Sequence, residues 1–365
     1  MSGIARRKAD HIEISLKENV ESESPSGFED IHLVHRSLPE IDLEDVSTET
    51  RLFGKHLSAP LIISAITGGT PKAAEINRVL ARVAEEKQIG LCLGSQRIAI
   101  VKPETEYSFK VAREEAPSTL IMGNLGCPQL SMGWGIAEAR RCVEMVEADA
   151  LAVHMNPLQE AVQIGGDTKY RGVLEGLRAL SLELEVPLVL KETGAGVSWE
   201  VAVEIQEAGA QGLEVSGLGG TSWSAVEHHI AKQANLKRME YLGRSFWNWG
   251  IPTAVSLVEA AEKTSLTLIS SGGVRSGVDI AKSLALGAFA GGMARPFLAK
   301  ALEGEQALSE FVEDIIQEIR LAMFLTGCQR VEELRRVPVV ILGRTAEWLE
   351  RRGISPGRYA RRLGE

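Results

Sequence analysis

The sequence predicts an α/β fold, a (β/α)8 TIM barrel with an N-terminal extension and C-terminal helices. Three observations carry this. Short apolar runs rich in Val, Ile, Leu and Ala recur along the chain, each ending in Gly or a small polar residue. The runs are continuous rather than alternating, which is how parallel strands buried on both faces read. Segments of helical period lie between most of them, and eight strands alternating with helices close into a barrel.

The eight runs are APLIISAITGG, GLCLGSQR, TLIMGNLG, ALAVHMN, PLVLKETG, GLEVSGLGG, LTLISSGGV and AFAGGMAR. The helical segments are EINRVLARVAEEK, AEARRCVEMVEA, YRGVLEGLRALSLEL, SWEVAVEIQEAG, TAVSLVEAAEK and GVDIAKSLALG. Together they set the barrel at residues 60–302. Residues 1–59 form the extension, with a basic helix start, an acidic linker (ENVESESPSGFED) and short strands. Residues 221–250 are a long insert after the sixth strand and carry Trp223, Trp247 and Trp249. A loop of that length at a barrel top is more often functional than idle. His228 and His229 within it read as surface helix residues. Residues 303–365 read as terminal helices, and their basic end as a solvated or subunit-facing surface.

Composition narrows the function. Of 365 residues, 44% are hydrophobic, enough for a large core and too many for a disordered chain. Aromatics at 5% argue against a stacking surface for sugars or single strands. Lys and Arg number 40 against 49 Asp and Glu, a formal charge of −9 that repels nucleic acid and anionic membranes. Cationic contacts to an anionic substrate are therefore local. Cys92, Cys127, Cys142 and Cys328 show neither metal nor disulfide spacing. The basic start lacks the apolar core of a signal peptide, and no apolar run is long enough to span a membrane. The expected compartment is the reducing cytoplasm.

Barrel chemistry sits at the C-terminal strand ends. Those ends carry Thr67-Gly68-Gly69, Ser95-Gln96-Arg97, Asn124, His154, Asn156, Lys191, Ser216, Gly272-Gly273 and Ala294-Arg295. For the glycines alone, ordinary turn chemistry is the simpler reading. A buried strand end that repeatedly presents Lys, Arg, His and Asn needs another reason. The Gly-rich turns Ser271–Arg275 and Gly291–Pro296 follow the seventh and eighth strands, where backbone N–H groups and a helix start hold a phosphate. Such a pair recurs in flavin mononucleotide barrels, whereas no GxGxxG follows an early strand. Lys191 is either a snorkelling rim lysine or a cation at the pyrimidine edge of a flavin, and the late phosphate turns favour the second. Thr67, Ser95 and Asn124 would orient the ring. The stretch His154 to Glu160 gathers His, Asn, Gln and Glu at one strand end. Glu160 is a single carboxylate, which suits Mg2+ completed by phosphate oxygens and water; the alternative is an acid complementing a helix N-terminus. Arg7 and Lys8 open the chain, and they matter only if the N-terminal segment folds over the barrel mouth. Arg97 suits phosphate from the barrel itself.

The chain resembles the type 2, FMN-dependent isopentenyl-diphosphate delta-isomerases over nearly its whole length. The motifs are RKADHI from Arg7, Thr67-Gly68-Gly69, Gly94-Ser95-Gln96-Arg97, Gly123-Asn124, His154 to Glu160, Gly219 to Trp223, Trp249 to Thr253 and Ser271 to Arg275. The resemblance implies that Arg7, Lys8, Ser95, Gln96 and Arg97 bind the substrate diphosphate. It implies that His154, Asn156 and Gln159 face the substrate and serve catalysis, and that Glu160 holds Mg2+. It assigns FMN to Ala65, Ile66, Thr67, Ser95, Asn124, Lys191, Ser216, Thr221, Gly272, Gly273, Val274, Ala294 and Arg295. It also implies NADPH as reductant and a tetramer or octamer. Two departures stand out. Ile66 replaces a common Met, and Ile164-Gly165 replace Pro-Glu after Gln163, which loses a carboxylate near the metal.

The implied chemistry moves a double bond by adding a proton at one carbon and removing one from another. A cationic carbon develops, and an electron-rich reduced flavin would stabilise it. Gln159, a neutral amide, suits orientation or relay, and the diphosphate supplies remote binding energy. The alternatives are an FMN-dependent 2-hydroxy-acid oxidase or dehydrogenase, and a flavin- or phosphate-binding regulatory barrel. The first wants a His base at a late strand end, yet the sixth strand ends Ser216-Gly217-Leu218-Gly219-Gly220. The second has no use for Glu160 beside a flavin.

Overall fold

The structure is a computed structural model and describes residues 3–362, with side chains from residue 10 onward. Eight of its strands are the predicted apolar runs: β4 (Leu61–Ile63), β5 (Gly90–Cys92), β6 (Ile121–Gly126), β7 (Ala150–Met155), β8 (Leu188–Glu192), β9 (Gly212–Glu214), β10 (Thr267–Ser270) and β11 (Ala290–Met293). They are parallel and close in the order β10-β11-β4-β5-β6-β7-β8-β9. Every residue of β4, β5, β6 and β8 is buried, as parallel strands covered on both faces require.

Three further strands precede the barrel or brace it: β1 (Ile31–Leu33), β2 (Thr50–Leu52) and β3 (Lys55–Leu57). The β2–β3 hairpin plugs the lower end of the barrel. Leu52 and Leu57 join Ile62, Cys92, Met122, Ala150, Val189 and Ile269 in one interior cluster, with Phe53 packed against it. Gly212 makes room for that ring, because a Cβ there would lie 2.8 Å from Phe53 Cζ. The other end stays open and polar.

The helices form where their caps and apolar faces dictate. In α2 (Pro71–Lys87), Thr70 accepts from Ala73 N at 3.1 Å, Pro71 opens the first turn and Gln88 ends the helix in the left-handed region. Its Ala74, Ile76, Leu80, Ala81 and Val83 are buried. Ser222 and Ser276 cap two later helices in the same way.

The C-terminal segment departs from the expectation of helices alone. It contains β12 (Val339–Ile341), which pairs antiparallel with β1, Ile31 opposite Ile341. That pairing ties the N-terminal extension to the chain's end. The insert is two helices, Trp223–Gln233 and Lys237–Ser245. His228 and His229 are not surface residues. They are half-buried and meet the Trp247 ring edge-on at 5.7 and 5.9 Å, and His228 Nδ1 bonds Glu240 O. The four cysteines are unpaired and buried. Among the described residues no helix is long and apolar enough to cross a membrane.

Candidate active site

One cavity of about 290 Å³ opens at the C-terminal strand ends. It is lined by Ala65, Ile66 and Thr67 after β4, Ser95 and Arg97 after β5, Asn124 on β6, and His154 and Asn156 at β7. Lys191, Ser216, Thr221, Gly272 to Val274, Ala294 and Arg295 complete the ring. Gln159 and Glu160 project into it from the helix Pro157–Val162. The residues singled out from the sequence thus meet in one place, with three exceptions.

The first exception is Gln96. It is wholly buried and turned away from the cavity. Its Nε2 donates to Cys142 O at 2.9 Å, and its Oε1 accepts from Asn124 N at 2.8 Å. Gln96 therefore fixes β6 against the helix Ile136–Val146, and its side chain does not line the cavity. The other two are Arg7 and Lys8, whose side chains lie outside the described residues. They sit on α1 (Gly3–Lys17), and later residues of α1 do line the cavity: His11, Ile12 and Ser15.

The floor is polar and buried. Lys191 Nζ donates to Glu214 Oε1 at 2.8 Å and to Glu192 O at 3.1 Å. Ser64 and Ser271 donate to the same Glu214 oxygen at 2.7 and 2.6 Å. Cys92 lies beside this group, and burial first, then the Glu214 charge, pushes its thiol up to about 12. It is no nucleophile. Ser216 holds a left-handed backbone, φ 36°. This is a strained conformation for a non-glycine residue, of a kind that clusters at ligand sites.

The His154–Glu160 stretch is a network of amides around one carboxylate. Asn124 Nδ2 donates to Leu93 O, which leaves its Oδ1 facing His154 Nδ1 at 2.8 Å. The His154 proton on this side is therefore on Nδ1. Asn156 is 4% exposed, and its amide reaches Gln159 Oε1 and Glu160 Oε1 at 3.1 Å each. Its Oδ1 accepts from Tyr170. Asn156 thus positions its neighbours. Glu160 Oε2 accepts from Gln163 Nε2 at 2.9 Å and from Asp167 N at 2.7 Å. Arg97 Nη1 stands 2.5 Å from Asp167 Oδ2. The loop that carries Ile164-Gly165 thus still links Glu160 to Arg97, through Asp167.

Sequence reading missed three contributors. Glu227, on the helix after β9, is 2% exposed and accepts from His11 Nε2 at 2.9 Å and Gln159 Nε2 at 3.5 Å. His11 packs edge-on against Trp223, with ring centroids 5.1 Å apart. Glu214 is the third. The N-terminal segment is sewn over the mouth by Ser22 N to Gly220 O and Ser222 N to Val20 O. There Glu21 Oε1 meets Arg275 and Arg295 at 3.0 and 2.7 Å.

The residues present fit FMN. A cation lies in the floor, hydroxyls and amides ring the middle, and two Gly-rich turns with Arg295 stand at one side. Gly292 keeps the floor open, since a Cβ there would fall 2.5 Å from Ser64 Oγ. Gly272 and Gly273 have φ of 90° and 73°, which other residues rarely adopt. The residues also fit a hydrated Mg2+. Among the described residues no group of three His, Cys, Asp or Glu forms a protein cage. Glu160 takes three protein donors on its two oxygens, which leaves about one of its roughly four lone-pair positions for a cation.

Residues 7–108 and 143–340 match the FMN-dependent dehydrogenase family. An isopentenyl-diphosphate delta-isomerase of Methanothermobacter thermautotrophicus is 45% identical over 98% of this chain and 99% of its own. Those of Thermococcus onnurineus and Methanosarcina barkeri are 48% and 43% identical, over 95% and 99% of this chain and 94% and 98% of theirs. Among solved structures, a mandelate oxidase variant with (S)-mandelic acid gives a TM-score of 0.60 at 19% identity, covering 93% of this chain and 98% of that one. A flavocytochrome b2 variant with benzoylformate gives 0.61 at 19% identity, covering 90% and 77%. Those two likenesses concern the fold.

Proposed function

The chain belongs to the isopentenyl-diphosphate delta-isomerases in their FMN-dependent, type 2 form, and we propose that it isomerises isopentenyl and dimethylallyl diphosphate on reduced FMN, with Mg2+ on the diphosphate and NADPH as reductant. The observation that carries this reading is one cavity in which a floor cation, a lone metal-capable carboxylate and a cationic rim face each other. An oxidase would need a base at the end of β9, where Ser216 and glycines stand.

When bound and reduced, FMN supplies negative charge and proton exchange against a carbon that becomes cationic. The protein does the rest. Lys191 marks the floor, and Thr67, Ser95, Asn124 and Ser216 hold the ring. Gly272 to Val274, Ala294 and Arg295 hold the phosphate. Arg97, with Arg7 and Lys8 on α1, grips the diphosphate, and Glu160 shares its Mg2+. Remote binding energy of this kind positions an alkene that offers no polar handle. Gln159, held by Asn156 and Glu227, orients the hydrocarbon end through its amide hydrogen bonds, and His154, held by Asn124, exchanges a proton at its imidazole nitrogen. The His11–Glu227 contact closes α1 over the mouth and excludes water.

The test is an anaerobic assay of the FMN-loaded protein. After reduction with NADPH it should form dimethylallyl diphosphate from isopentenyl diphosphate, faster with Mg2+. A flavin-loaded, reduced protein without that product would remove the reading.

A further inference from the structure

The floor of the cavity contains a carboxylate that the function above does not use. Glu214 ends β9 with 1% of its surface exposed. Its Oε1 collects three donors from three other strand ends: Lys191 Nζ at 2.8 Å, Ser64 Oγ at 2.7 Å and Ser271 Oγ at 2.6 Å. All three donors line the cavity, and Glu214 stands directly behind them. Its second oxygen, Oε2, is buried without a hydrogen-bond partner.

A charge in such a place is costly, and a half-satisfied one more so. An apolar side chain of similar volume would fill the space without that cost. What a carboxylate adds is its charge. Without it, Lys191 would face the ring as an isolated cation in a low-dielectric floor and would strongly favour a reduced, anionic flavin. With it, the floor carries a paired cation and is close to neutral. The reduced ring then stays electron-rich, as proton exchange with a hydrocarbon requires.

We propose that Glu214 is a positioning residue: it aims Lys191 at the flavin and, through its negative charge, lowers the flavin's reduction potential. This rests on FMN occupying the cavity. Cys92 registers the same field, since its thiol is held up partly by the Glu214 charge.

The experiment uses FMN-loaded Glu214→Gln, which keeps an oxygen for Lys191 and removes the charge. The two-electron midpoint potential is measured by anaerobic equilibration with a reference dye. Its expected rise corresponds to about a tenfold shift in the ratio of reduced to oxidised flavin at fixed poise, about 30 mV. Glu214→Asp, which restores the charge, should return the potential toward the parent value. A role in packing alone would not move the potential in this charge-dependent way. An unchanged or lowered potential in Glu214→Gln with flavin bound overturns the proposal. If Glu214→Gln does not retain flavin, Ser271→Ala serves. It removes a hydroxyl dipole from the carboxylate and should lower the potential, and no change overturns the proposal equally. A parent protein that binds no FMN would instead be a failure of the flavin reading itself.

Discussion

His11 Nε2 and Glu227 Oε1 stand 2.9 Å apart although 216 positions separate them in the chain. One comes from α1 and the other from the helix after β9, and Gln159 shares the same carboxylate oxygen. Helix α1, the insert and the helix Pro157–Val162 are therefore joined at one buried atom. Glu227→Gln and His11→Phe should each lower kcat/KM for isopentenyl diphosphate by about 10- to 100-fold, the scale of a lost charge-assisted bond. FMN content should not change. Steady-state kinetics beside the flavin absorbance checks both, and full activity in both variants would detach α1 from the site.

Glu160 has three protein donors and room for one more partner. Glu160→Gln should lose most of its Mg2+ response, roughly 100-fold at limiting metal on the scale seen for altered metal sites, while FMN stays bound. A titration of activity against Mg2+ decides this. A response curve identical to that of the parent would show that the carboxylate holds no metal.

Arg97 is poised against Asp167 at 2.5 Å, and Asp167 also donates its main-chain N–H to Glu160. Arg97→Ala should raise KM by about 10- to 100-fold, as expected when a guanidinium leaves a phosphate. Asp167→Asn should do much less, because the N–H to Glu160 survives. Equal effects from the two variants would mean that Asp167 contacts the substrate or metal directly.

Glu192 predicts a pH dependence. Its carboxyl is pushed up to about 7 by burial, which outweighs the bonds it accepts from Thr193, Gly194 and Ala195 N–H and the nearby Lys191 charge. The unfolded value is near 4.5. Between the two, the folded chain binds more protons than the unfolded one, so stability falls as pH rises through this window and levels off above about 7. The loss is about 3 kcal/mol at most. Urea unfolding at pH 5 and pH 8 should show Glu192→Gln losing less stability than the parent over that interval. Parallel slopes would contradict the shift.

The barrel was legible because burial on both faces leaves little choice: APLII, LIMG and PLVL are apolar without interruption. The strand tips were legible because Lys191, Asn124 and His154 have no business at the end of a buried run unless something polar waits there. The rest was hidden for physical reasons. Glu214 sits in GLEVSG, where one acid reads as a strand end; only closure of the ring brings Ser64 and Ser271 to it. Glu227 sits in SWSAVEHH, where an acid reads as a solvated helix residue, and its pairing with His11 is set by the fold. Its flanking Ala225 and Val226 are fully buried, a signal that the helix face is turned inward. Gln96 lies between Ser95 and Arg97, both of which face the cavity, and nothing local says that its own side chain turns back into the core. β12 is three residues long and exists only because β1 is there to pair with it.

The central claim is that this barrel moves protons on a hydrocarbon with a reduced flavin and no net oxidation. The most direct measurement is anaerobic turnover of isopentenyl diphosphate in deuterium oxide by the reduced, FMN-loaded protein. Dimethylallyl diphosphate carrying solvent deuterium, formed only after reduction and with the flavin still reduced at the end, is the predicted result. Product formed at the same rate by oxidised or flavin-free protein, or product without deuterium, would contradict it.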